Sequence, residues 1–178
     1  MMKGLTKTRS FALMTPRFAH PMAWQQAELL MQPTFIRIID NIRKQLETSS
    51  WRGTYHDVQR WPQGTTDEQK AKVSQYQRAL KTAPPEQIEI LHRALDQLPR
   101  PYPGYELHLT HDNHAIEVDL WQLCYQVCFY EFSPANADGS KPVEVDTHLI
   151  DETGDVDWHH LDEKAKHTVG QVFENLPS

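Results

Sequence analysis

From residue 21 to about residue 98 the chain is patterned mostly with a helical period, and a two-residue period first appears after it. The segment TFIRIIDNIRKQLE puts Phe35, Ile38, Ile39, Ile42 and Leu46 on one stripe, and Arg37, Asp40, Arg43, Lys44 and Glu47 on the other face. MAWQQAELLM precedes it, and Pro33 lies between them. Proline removes a mid-helix hydrogen bond but fits a first turn, so 21–49 predicts two helices or one kinked helix. Residues 65–80 and 85–98 predict a helical hairpin. Thr65 with Glu68 has the spacing of a capping box, and Ile88, Leu91, Leu95 and Leu98 are in phase. SWRGTYHDVQRWPQG, 50–64, shows neither period and is read as a structured loop whose aromatics need burial.

PRPYPG at 99–104 breaks the helical pattern. YELHLTH and HAIEVDL then alternate around Asp112-Asn113, a pair that suits a two-residue hairpin turn. This centre pairs 111 with 114, 109 with 116 and 107 with 118. It sends Tyr105, Leu107, Leu109, Ile116, Val118 and Leu120 to one face. Glu106, His108, Thr110, Ala115, Glu117 and Asp119 go to the other, and a slip of one residue would scramble both sets. A second strand is predicted at 142–151. Residues 119–132 read as a helix capped by Asp119 and Gln122, although their aromatic and β-branched content also allows a buried strand. A last helix covers DEKAKHTVGQVFENL and stops at Pro177. The expected fold is α+β: a helical front half with an α-hairpin, then a small antiparallel sheet flanked by helices. Residues 21–178 read as a single domain, mainly helical over 21–98 and sheet-plus-helix over 103–176, behind a flexible basic arm at 1–20.

Composition narrows the classes. The 178 residues are 39% hydrophobic with a net charge of −6, enough apolar material for a core. No run of eighteen apolar residues occurs, so no membrane insertion is expected. Two cysteines, Cys124 and Cys128, offer no disulfide framework and fit a reducing compartment, here the cytoplasm. Residues 1–60 hold nine Lys/Arg against four Asp/Glu, and the remainder nine against twenty. Residues 138–163 are the densest part, with nine acidic residues and one lysine. Such a surface steers a basic partner by long-range attraction. Asp146, Asp151, Glu152, Asp155 and Asp157 are therefore the candidate partner-binding residues.

Chemistry is suggested chiefly by HLTHDNHAIEVD, 108–119, with three histidines in seven positions. The predicted register separates them: His108 lies on the polar face opposite Glu117, while His111 and His114 flank the turn on the apolar side. A three-histidine site from the hairpin alone is thereby excluded. His111 and His114 remain candidate ligands for a divalent metal if further donors come from elsewhere. Glu106 opposite Asp119 is a like-charge pair. On a calcium-loop template Asp151, Thr153, Asp155, Asp157 and His159 fall at ligand positions, but Val156 and Asp162 stand where a glycine and a bidentate glutamate are needed. The bland alternative is a turn at Thr153-Gly154, a helix cap from Asp157 or Asp162, and Trp158 anchoring the junction to the core. Cys124 and Cys128 read as core residues. Trp51, Arg52, Tyr55, Arg60 and Trp61 mix cations with aromatics, but overall acidity argues against nucleic acid. No nucleotide-loop, hydrolase-elbow or zinc-protease motif occurs, and no cofactor other than that divalent metal is indicated.

FIRIIDNIRKQLETSSWRGTYHDVQRWP (35–62) and PYPGYELHLTHDNHAIEVDLWQLCYQVCFYEF (101–132), about a third of the chain, resemble a family of small soluble proteins of cyanobacteria and plastids. The resemblance implies a photosynthesis-related accessory or assembly role and carries over no active residue. The sequence thus predicts a non-enzymatic interaction protein that meets a basic protein partner through its acidic C-terminal surface and an exposed helical face. The runner-up is a metal-binding protein or metal-dependent enzyme using His111 and His114.

Overall fold

Pro33 does not end the first helix. In the computed structural model, which describes residues 17–62, 64–137 and 139–177 apart from the Pro134 side chain, α1 runs unbroken over Pro21–Glu47. The predicted basic arm lies outside these residues up to residue 16. His20 caps α1, its Nδ1 accepting from the Ala23 N–H at 3.1 Å, and Pro21 fills the first turn, where no N–H is needed. A proline in a helix interior costs about 3 kcal/mol. Packing offsets it: Ala23, Ala27, Leu30, Thr34, Ile38 and Ile42 are all buried along one side.

Two structural units are distinguishable. The larger comprises the described residues up to Asp57 and those from Gly104 onward; the smaller is Val58–Pro103. In the smaller unit α2 (Asp67–Leu80) and α3 (Pro85–Asp96) pack together, with Val73 and Leu95 buried. The capping box sits one residue later than its spacing predicted. Thr66 Oγ1 accepts from the Gln69 N–H and Gln69 Oε1 accepts from the Thr66 N–H, while Thr65 Oγ1 donates to the Pro62 carbonyl at 2.6 Å.

The larger unit sets helices against a three-stranded antiparallel sheet of order β1-β2-β3. β2 is Tyr102–His111 and β3 is His114–Asp119, paired in the predicted register from Glu106↔Asp119 to His111↔His114. Asp112 at the turn takes φ +51°. β1, Arg52–Arg60, corrects the reading of 50–64 as a loop. Its inward position at Gly53 holds no side chain: a Cβ there would lie 2.9 Å from Leu46 Cδ1 and 3.0 Å from Leu107 Cδ1. The strand therefore leaves the end of α1 room to press on the sheet and shows no apolar alternation.

Leu107 and Leu109 point inward with no exposure. Behind them α4 (Leu120–Cys128) packs on α1 and on α6 (Trp158–Glu174), and α6 packs on α1. Asp119 caps α4 by accepting from the Trp121 and Gln122 N–H groups, which decides its helical alternative. Both cysteines are free and buried, and Cys128 Sγ lies 3.2 Å from Thr34 Oγ1 on α1. Burial drives the Cys128 thiol up to about 12, against the lowering effects of Thr34 and Lys164.

The strand predicted at 142–151 does not form. Val143 bridges Phe18 and Val145 bridges Phe129, so consecutive inward residues pair with different neighbours and no ladder propagates. Thr147–Leu149 closes into a 3-10 turn. A short helix, α5 (Pro134–Ala137), precedes this stretch. The buried Asn136 holds the loop: its Oδ1 accepts from the Ser133 N–H and hydroxyl, and its Nδ2 donates to the Lys141 and Pro142 carbonyls. Trp158 is not a core anchor. It is 51% exposed, and the Arg37 guanidinium lies 5.6 Å from its ring centre.

Candidate functional site

The outward face of the sheet concentrates the polar side chains that the register assigns to it. Glu106 and His108 are two residues apart on β2, and Glu117 stands directly across from His108 on β3. His108 Nε2 lies 3.1 Å from Glu106 Oε1. One ligand atom from each of Glu106, His108 and Glu117 falls within 4.8 Å of the others. Beside them, on β1, the His56 ring stacks on His108 with centres 4.1 Å apart and planes 20° from parallel. His56 Nε2 is itself 2.8 Å from Thr54 Oγ1. Glu117 is exposed, whereas Glu106 keeps only 12% of its side chain open.

His111 and His114 lie elsewhere. They pair across the end of the hairpin, and Trp51 packs against both rings, 5.4 Å from His111 and 6.3 Å from His114. His111 Nδ1 is buried and has no hydrogen-bond partner among the described residues, while its Nε2 is 3.7 Å from Asp112 Oδ2. Among the described residues neither histidine belongs to a group of three or more converging donors. The two-residue period was the signal for the polar-face group. It had placed His108 opposite Glu117, but not the closeness of Glu106 or the stacked His56.

The five acidic residues divide by role. Asp146 begins the 3-10 turn, accepts from the His148 N–H and receives Lys164 Nζ at 2.7 Å. Burial pushes its carboxyl up, but Lys164 and His148 together hold it below the ordinary carboxylate value. Asp151 accepts from the Thr153 hydroxyl and the Thr153 and Asp155 N–H groups, and these bonds lower its pKa. Gly154, at φ +88°, completes the turn there. Asp157 caps α6, and His160 holds its carboxyl low through ring and N–H alike. Glu152 and Asp155 are exposed. The local bonds keep Asp146, Asp151 and Asp157 ionised, so capping does not remove their negative charge.

The outer side of α1 exposes three large apolar side chains among polar ones such as Gln25, Glu28 and Gln32. Met22, Leu29 and Ile36, seven residues apart, are 57%, 39% and 47% exposed. Their stripe lies about opposite the buried side of the helix. A shallow depression lined by Phe35, Ile36, Ile39, Asp40 and Arg43 continues it. Glu144 stands 3.8 Å from His20, the N-cap of α1.

Compared with protein-family models, curated proteins and solved structures, the chain matches none.

Its own surfaces must therefore carry the functional reading. Of the aromatic and cationic residues near β1, Trp51 is buried, Arg52 is exposed and Tyr55 stacks on Tyr105, while Arg60 and Trp61 belong to the smaller unit. Among the described residues, no helix is long and apolar enough to cross a membrane.

Proposed function

We propose that this chain is a non-enzymatic interaction protein, an accessory or assembly factor that receives a basic protein partner on the exposed side of α1 and the adjoining acidic segment. The observation that carries this reading is the Met22–Leu29–Ile36 stripe, which stays open to solvent on a helix whose other side is fully packed. Covering three half-exposed side chains contributes on the order of 1 kcal/mol each. Association costs at least about 4 kcal/mol, so the stripe alone is too small and a second contact must join it. Glu144, Glu152 and Asp155, exposed near carboxylates kept ionised, supply that contact and its attraction for Lys and Arg. The resemblance of 35–62 and 101–132 to cyanobacterial and plastid proteins favours a photosynthesis-related setting. Two free, buried cysteines support the cytoplasm as the compartment.

The test is affinity capture on the tagged full chain, with wild type beside the double variants Leu29→Asp/Ile36→Asp and Glu152→Lys/Asp155→Lys. A basic partner should be retained by wild type, eluted by salt and missing from both variants. A partner held equally by all three proteins, at low and high salt alike, rules this reading out.

A further inference from the structure

The polar face of the sheet carries chemistry that partner binding leaves unused. We infer that Glu106, His108 and Glu117 form a site for a divalent first-row transition metal, with zinc as the representative ion.

The donor set is mixed: one imidazole nitrogen and two carboxylates. Imidazole suits zinc, iron and nickel, while carboxylates neutralise the dipositive charge and also suit manganese. Two ligands about 2.0–2.1 Å from a tetrahedral ion stand roughly 3.3 Å apart. The 3.1 Å between Glu106 Oε1 and His108 Nε2 already matches that edge. Glu117 closes the triangle within 4.8 Å, and its exposed side chain needs only a rotamer adjustment to shorten the remaining gap. Three protein donors leave a fourth position for water, as in open zinc sites.

The backbone makes the arrangement reproducible. Glu106 and His108 project from one strand at the period that puts them on one face, and the register sets Glu117 opposite. His56 stacks on the His108 ring and is itself held by Thr54, which fixes the plane of the ligating imidazole. This support distinguishes the site from the exposed His159-His160 pair, whose rings meet edge to face 5.8 Å apart. It also differs from His111 and His114, which lie at the turn with no third converging donor among the described residues.

The experiment is calorimetric titration of the full chain with zinc, with cobalt as a spectroscopic substitute. Wild type should bind one ion, melt at a higher temperature with zinc, and intensify the visible bands of cobalt. His108→Ala and Glu117→Gln should each weaken binding by more than about tenfold, and His56→Ala by less. Glu117→Gln is isosteric and exposed, so its loss of affinity cannot come from unfolding. A His159→Ala/His160→Ala variant should bind as wild type does. Absence of zinc binding by wild type overturns the inference. So does wild-type affinity in both His108→Ala and Glu117→Gln, or a loss confined to His111→Ala and His114→Ala. Partner capture by Glu117→Gln is a separate readout, so the metal site and the partner surface stand or fall independently.

Discussion

Lys164 on α6 reaches Asp146 at the start of the 3-10 turn, Nζ to Oδ2 at 2.7 Å, with both side chains mostly covered. The pair ties the irregular segment after α5 to a core helix, and the two partners are not equivalent. Removing Asp146 also releases the His148 N–H, whereas removing Lys164 leaves Asp146 its other donors. Asp146→Ala should cost about 2 kcal/mol and Lys164→Met about 1 kcal/mol, read from urea midpoints. The Asp146 carboxyl is lowered on folding. Its contribution is therefore complete above the ordinary value of 3.8 and lost as pH falls through the lower folded value. The difference between wild type and Asp146→Ala should shrink correspondingly in acid.

Gly53 is required for space rather than for backbone freedom. A Cβ would meet Leu46 and Leu107 at about 3 Å, where α1 rests on the sheet. Gly53→Ala should destabilise by about 1–3 kcal/mol, and Gly53→Val by more. Equal melting temperatures for wild type and Gly53→Val would contradict this packing.

The buried Asn136 side chain makes four hydrogen bonds, joining Ser133 to Lys141 and Pro142. Asn136→Ala strands two carbonyls and a backbone N–H, at a cost of about 2–3 kcal/mol in chemical denaturation. Asn136→Asp keeps the acceptors but loses the donors, so it should also destabilise.

His160 and Asp157 form a titratable cap on α6. The Asp157 hydrogen bond raises the His160 pKa above its ordinary 6.5, and His160 lowers that of Asp157 below 3.8. A raised histidine stabilises fully below 6.5 and loses its contribution as pH rises through the folded value; the lowered aspartate loses its own as pH falls below 3.8. The pair thus stabilises most between these limits. NMR titration should place the His160 midpoint above 6.5 in wild type and lower it in Asp157→Asn.

Where a residue's neighbours in sequence were also its neighbours in space, the fold was legible. The β2–β3 register followed from Leu107, Leu109, Ile116 and Val118, because only one pairing puts all of them on one face. The α4 cap followed from Asp119, and the sorting of the hairpin histidines from the same alternation. β1 was hidden because Gly53, its tightest inward position, has no side chain to signal burial. Val143 and Val145 gave the pattern of a strand, but their bridging partners Phe18 and Phe129 come from different parts of the chain. Trp158 misled for a related reason: size implied burial, while Arg37 gives it a half-exposed resting place. Of the metal donors, local pattern paired His108 with Glu117; the stacking of His56 on His108 required the third strand to be in place.

The most direct measurement of the central claim is site-specific photocrosslinking of the captured partner from single positions on the full chain. Probes at Leu29 and Ile36 should give partner adducts that high salt diminishes, and a probe at exposed Gln126 on α4 should give none. A partner that crosslinks from position 126 but from neither 29 nor 36 would contradict the assignment of the α1 surface.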